Sequence, residues 1–289
     1  MEQESTMSNA VGKPSHVRWA IYSRAFFGLM QRDLRVLTRE IVPFVIRVAM
    51  NPLLFLFVFT YVMPHMTGGS KMSPVAGMAA AGGGGFGTVL LPGLMAVAIM
   101  FSGIAAVALP LAQEFGVTRE IDDRVMCPLP IGAVAIEKII FSAIQSIVAA
   151  AVVFPLAYFI PSTPVLAHVS SWWFLAVVLV LASLLAGALG LTIGTLVQPK
   201  QIGLIFGVVI VPITFLGCVY YPWAALKSIK WLQLCVLVNP IVYISEGLRA
   251  ALTPSTGHMP AAMILTMLVV FLALLTWIGL RGFANRVIS

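Results

Sequence analysis

Eight charged side chains are gathered between Gln113 and Lys138: Glu114, Arg119, Glu120, Asp122, Asp123, Arg124, Glu137 and Lys138. No Asp, Glu, Lys or Arg occurs between Lys71 and Glu114, or again between Lys138 and Lys200. The run QEFGVTREIDDRVMCPLPIGAVAIEK is therefore a polar island, and a connection that only reversed the chain could be shorter. Its charges are of both signs and closely spaced, which favours docking to a specific protein over lipid. A second pair, Glu246 and Arg249, stands three residues apart, on one face of a helix, where the two can form an ion pair.

Other chemistry lacks its residues. His16, His65, His168 and His258 are scattered over separate connections, so neither a metal cluster nor a catalytic dyad is expected. The glycine run Gly82 to Gly85 is followed by Phe86, and the one Gly-Lys pair, Gly12-Lys13, by Pro14; a phosphate-binding loop needs Gly-Lys-Ser/Thr ahead of a helix. Cys127, Cys218 and Cys235 lack metal-ligand spacing and read as buried structural residues. No catalytic residue, metal or cofactor is assigned to this chain.

The elements that carry these groups follow from composition. The chain has 289 residues, 60% of them hydrophobic and 9% charged, with mean hydropathy +1.03. That is a polytopic membrane protein, and its long continuous apolar runs predict helices rather than a barrel. The net charge of +7 comes from Lys and Arg at the ends of apolar runs, which suits orientation in a bilayer and not nucleic-acid binding.

Six spans are expected, at about 43–63, 88–112, 131–160, 172–197, 201–221 and 261–280. Residues 1–15 have no periodicity and predict a disordered N-terminus, without a signal peptide. Residues 16–42 predict an amphipathic helix at the membrane surface, with Phe26, Met30, Leu34, Leu37 and Ile41 on its apolar face and Arg24, Arg32, Arg35 and Arg39 opposite. Arg47, near the inner end of span one, reads as a snorkelling side chain. Residues 222–252 hold two apolar pieces, each too short to span, broken at Asn239-Pro240; they predict a re-entrant hairpin in the outer leaflet.

Charge distribution sets the orientation. With both termini cytoplasmic, thirteen of the 17 Lys and Arg residues fall inside, and Lys71, Lys227, Lys230 and Arg249 fall outside. The polar island is then cytoplasmic. Spans two, four, five and six have no charged residue in their interiors, whereas an ion-coupled carrier needs a carboxylate or similar group at mid-depth. The energy for transport is expected from a separate subunit.

From Arg24 onward the chain resembles the permease subunit of an ABC-2 type ABC exporter. The resemblance rests on the amphipathic helix before span one and on Leu91-Pro92-Gly93-Leu94. It rests also on Glu120-Ile121-Asp122-Asp123-Arg124 followed by Pro128-Leu129-Pro130-Ile131, and on Tyr221-Pro222, Asn239-Pro240, Tyr243 and Glu246-Gly247-Leu248-Arg249. It implies an all-α membrane protein of the bacterial cytoplasmic membrane that dimerises, in the simplest case with itself, and binds an ABC ATPase carrying the ATP and Mg. It also implies that residues 113–130, with Glu114, Arg119, Glu120, Asp122, Asp123 and Arg124, form the coupling element. Pro222, Asn239, Pro240, Glu246 and Arg249 then belong to the outer re-entrant segment, and spans one and five line the path. Many relatives carry Glu-x-x-Gly-Thr before the proline; here Glu114, Gly116 and Thr118 are spaced differently.

The expected cargo is an amphiphilic or hydrophobic molecule such as a drug or lipid. The alternatives are a polysaccharide or lipid-linked glycan exporter, a non-transporting membrane scaffold, or an intramembrane enzyme. A continuous aromatic ladder favouring a glycan is not evident, and an enzyme needs paired polar groups at depth.

Overall fold

The computed structural model describes residues 15–58, 62, 86–118, 130–160 and 167–288. Every regular element among them is helical: α1 (Ser15–Arg39), α2 (Ile41–Phe57), α3 (Phe86–Gln113), α4 (Ile131–Phe159), α5 (Trp172–Leu196), a run α6 (Pro199–Phe215), α7 (Lys230–Val238), α8 (Pro240–Leu252) and α9 (Ala261–Ile288). Among the described residues four helices, α3, α4, α5 and α9, are long and apolar enough to cross a membrane. The number rises to six if each of two bent pairs is a span: α1 with α2, bent by 71°, and α7 with α8, bent by 100°.

The second bend follows from local sequence. Asn239 is extended, its side chain accepts from Ile241 N–H at 3.0 Å, and Pro240 occupies the first position of α8, where its missing N–H costs nothing.

Helix α3 is the centre of the bundle. It packs on α4, α5 and α8, and α9 leans on α5 from the far side. Small residues allow this closeness. A methyl group at Gly103 would lie 2.5 Å from Ala186 Cβ, and one at Gly190 would lie 3.0 Å from Ile104 Cα. Hydroxyls join the helices that the small residues bring together: Ser142 donates to Gly103 O at 3.0 Å, Ser146 to Ile99 O at 3.1 Å, and Thr192 to Leu275 O at 2.9 Å. In an apolar bundle, close packing and interhelical hydrogen bonds supply association that hydrophobic burial cannot.

Helix α1 differs in detail from its expected face. Phe26 and Met30 are half-buried and Leu37 is buried, but Leu34 and Ile41 are 39% and 37% exposed. Tyr22, Ala25 and Leu29 join Phe26 instead, against a cluster containing Val134, Ile139, Leu191 and Phe283. The buried stripe is centred nearer Tyr22 and Leu29, which leaves Leu34 at its margin, and the bend after Arg39 takes Ile41 out of register.

Run α6 stops at Phe215, short of the expected end near Tyr221. It mixes 3-10, α and π turns, and Cys218 beyond it takes a left-handed φ of 52°.

Candidate functional site

Two polar nodes sit at opposite ends of the bundle. The first is the root of the charged island. Helix α3 widens into a π-helical turn, Glu114–Thr118, and the Glu114 carboxylate meets Lys138 of α4, Oε1 to Nζ 2.9 Å, both side chains only 6% exposed. Glu137, beside Lys138, is fully buried. Next in the turn, Phe115 lies under the Arg286 guanidinium, 4.8 Å from Cζ to the ring centre, and 6.2 Å from the Phe283 ring. Arg286 also donates to Gly194, Thr195 and Val197 carbonyls at 3.2, 2.9 and 2.8 Å, closing the end of α5. A methyl at Gly116 would stand 2.8 Å from Pro199 Cβ. The root is thus held by α4, by the α5–α6 turn and by α9.

Of the expected coupling residues, Glu114 is placed here. Arg119, Glu120, Asp122, Asp123 and Arg124 lie outside the described residues. Arg24, Arg32, Arg35 and Arg39 are exposed on α1. The last three border a cleft of about 330 Å³, and Arg32 Nε stands 3.5 Å from Asp33 Oδ1.

The second node joins the residues expected in the outer segment. Glu246 and Arg249 are both fully buried and ion-paired through Oε1 and Nη1. Glu246 Oε1 also accepts from Trp223 N–H at 2.9 Å, and Oε2 from Met259 N–H at 3.0 Å. Arg249 Nη2 donates to Cys218 O at 3.1 Å, and Ser245 Oγ to Gly217 O at 2.7 Å. Pro222 precedes the short 3-10 turn Trp223–Ser228, and Asn239 Nδ2 donates to Ile213 O at 2.6 Å. One ion pair therefore gathers the chain after α6, helix α8 and the start of α9. Four hydrogen bonds, including the ion pair, surround the two charges, as burial requires, and Arg249 Nε is the one buried donor among them left without a partner.

This node rests on α3 through the Leu91-Pro92-Gly93-Leu94 motif. A methyl at Gly93 would fall 1.9 Å from Val219 O, so only glycine admits that backbone. The α4–α5 connection closes the same end: His168 N–H donates to Leu252 O at 2.9 Å and Ser170 N–H to Ala251 O at 3.0 Å.

Sequence reasoning missed four partners. Lys138 was within the island, yet its link to Glu114 crosses 24 residues. The Arg286–Phe115 stack joins the last helix to the π turn, and no local pattern signals it. The two N–H donors to Glu246 come from 23 and 13 residues away. None of the nodes has a nucleophile–base geometry, and the described residues hold no group of three or more His, Cys, Asp or Glu placed to bind a metal.

The family model described as "ABC-2 type transporter" matches residues 24–253. The inner membrane transport permease YadH of Escherichia coli strain K12 is 25% identical over 238 residues, covering 81% of this chain and 83% of that protein. Its counterpart in Shigella flexneri matches to the same extent. The match takes in α2 to α8 with both polar nodes but for Arg286 and Met259, and the chain belongs to the ABC-2 type transporter family.

Proposed function

We propose that this permease is the membrane half of an ATP-driven exporter, working as two copies of the chain with a separate ABC ATPase that carries ATP and Mg. The ATPase docks on residues 113–130, and cargo leaves the cytoplasmic side for the outside. The observation that carries this reading is the clamped root: the Glu114–Lys138 pair and the Arg286–Phe115 stack tie the island to α4, α5 and α9. A close-packed interior transmits a displacement rather than absorbing it, so a push on the island moves helices as rigid bodies.

The remaining parts take roles in the same scheme. The bend between α1 and α2 suits an interface helix beside the docking site, with Arg24, Arg32, Arg35 and Arg39 toward anionic headgroups. The α7–α8 bend suits a re-entrant hairpin at the exit, kept rigid by the Glu246–Arg249 node. A second copy is supported by two uncovered apolar stripes on spans one and five, Val42, Ile46, Met50 and Leu54 on α2 and Leu204, Val208, Val211 and Phe215 on α6. The distribution of Lys and Arg supports cytoplasmic termini. The apolar interior suits an amphiphilic or hydrophobic cargo.

The test is co-expression and co-purification with the candidate ABC ATPases of the same genome, then reconstitution in liposomes. Accumulation of a fluorescent amphiphile that needs both subunits and ATP supports the proposal. An ATPase that neither binds the chain nor responds to it overturns the proposal.

A further inference from the structure

One feature of the molecule is left unused by the coupling scheme, a groove between the α1–α2 bend and α3. It has two arms. The polar arm, of about 530 Å³, is bordered by Arg32, Asp33, Glu40 and Lys138. The apolar arm, of about 380 Å³, is bordered by Met50, Leu54, Val97, Phe101 and Phe206. Both volumes fall in the range of small-molecule sites, roughly 300–1,000 Å³. Phe44, Arg47, Ala105 and Leu109 border both arms, so the two meet there.

Among the described residues, Arg47 is the one charged side chain bordering the apolar arm. It stands six residues into α2, about 9 Å along the helix. Its guanidinium stays near the junction of the two arms, with Cζ 6.0 Å from the centre of the Phe44 ring that borders both. The other cations of the groove have carboxylates: Arg32 faces Asp33 at 3.5 Å and Lys138 faces Glu114 at 2.9 Å. Among the described residues no carboxylate lies within ion-pair distance of Arg47. Glu40 is seven residues away, about 10 Å of helix rise, comparable to the screening length of roughly 8 Å in physiological salt. Arg47 is exposed, so its guanidinium is accessible to an incoming anion at the junction of the two arms, and its planar donors fit phosphate or carboxylate oxygens in pairs.

We propose that this groove holds an anionic amphiphile of the membrane leaflet, with its phosphate or carboxylate head on Arg47 and its hydrocarbon chain in the apolar arm. The proposal rests on the reading of the chain as an amphiphile permease and names the class of cargo, but it is tested by binding alone. The full-length protein in neutral detergent is offered dioleoyl phosphatidylglycerol, oleate or dioleoyl phosphatidylcholine, and bound molecules are counted by native mass spectrometry. Retention of at least one of the two anions about tenfold above phosphatidylcholine is expected, the scale of one charge-assisted contact. Phosphatidylglycerol alone assigns a phosphate head and oleate alone a carboxylate head.

The preference should disappear in Arg47→Gln, persist in Arg47→Lys at reduced strength, and be lost in Ala105→Phe, which plugs the junction. Arg47→Lys keeps the charge and the fold, so the comparison stands even if the plugged variant does not fold. Equal retention of phosphatidylcholine, or a preference unchanged in Arg47→Gln, overturns the proposal. Stimulated ATP hydrolysis that survives alongside such a result leaves the exporter reading intact. Anion preference without any ATPase response contradicts that reading and not this one.

Discussion

Glu114 at the end of α3 and Lys138 in the second turn of α4 are 2.9 Å apart and buried, so they close the base of the charged island from both sides. Removing one partner of a buried pair leaves an uncompensated charge, at a cost of about 3–5 kcal/mol. Glu114→Gln or Lys138→Met alone should therefore lower thermal stability in detergent and weaken the response of the ATPase. The exchange Glu114→Lys with Lys138→Glu should restore much of both. Equal loss in the exchanged variant and the single variants would show that the pair itself is not what holds the root.

At the opposite end, Glu246→Ala strands Arg249 and releases the N–H groups of Trp223 and Met259. A loss of about 3–5 kcal/mol is expected. Glu246→Leu with Arg249→Met removes both charges together and should recover part of it. Thermal unfolding followed by intrinsic Trp fluorescence provides the measurement, and a single variant as stable as wild type would refute the role given to the node.

How much of this was legible in the sequence depends on the separation of the partners. The long helices were readable from unbroken apolar runs, and Asn239-Pro240 announced the break between α7 and α8 because cap and proline act within a few residues. Glu246 and Arg249 were readable as a pair from helical spacing alone. Their attachment to Cys218, Trp223 and Met259 was not, since the carbonyl and N–H groups involved have no sequence signature. The same holds for Arg286 on Phe115. The face of α1 was read by period, but packing against α4 rotated it, which exposed Leu34.

Gly93 and Gly132 should respond oppositely to the same substitution. Gly93→Ala drives a methyl into Val219 O and should reduce stability and the yield of folded protein. Gly132→Ala, in the first turn of α4 with open space around it, should be neutral or gain up to roughly 1 kcal/mol from helix propensity. Paired thermal melts decide this; a tolerated Gly93→Ala would mean that the backbone approach at Val219 is not tight.

Orientation can be read by labelling. Cys235 is exposed, so it is first replaced by Ser together with Cys127, and Lys227→Cys is introduced into that background. Lys227 is exposed in the short turn after Pro222. An impermeant thiol reagent should label it in intact cells, and labelling only after lysis would invert the proposed topology.

The central claim is that residues 113–130 receive force from the ATPase. It is tested most directly by ATP hydrolysis in the reconstituted complex, comparing wild type with a chain carrying Asp122→Lys and Asp123→Lys. Like charges brought together at a docking surface cost several kcal/mol, so the account predicts that permease-dependent ATP turnover falls at least about tenfold while the chain still inserts in the membrane. Turnover equal to wild type, with the variant inserted to the same level, would contradict it.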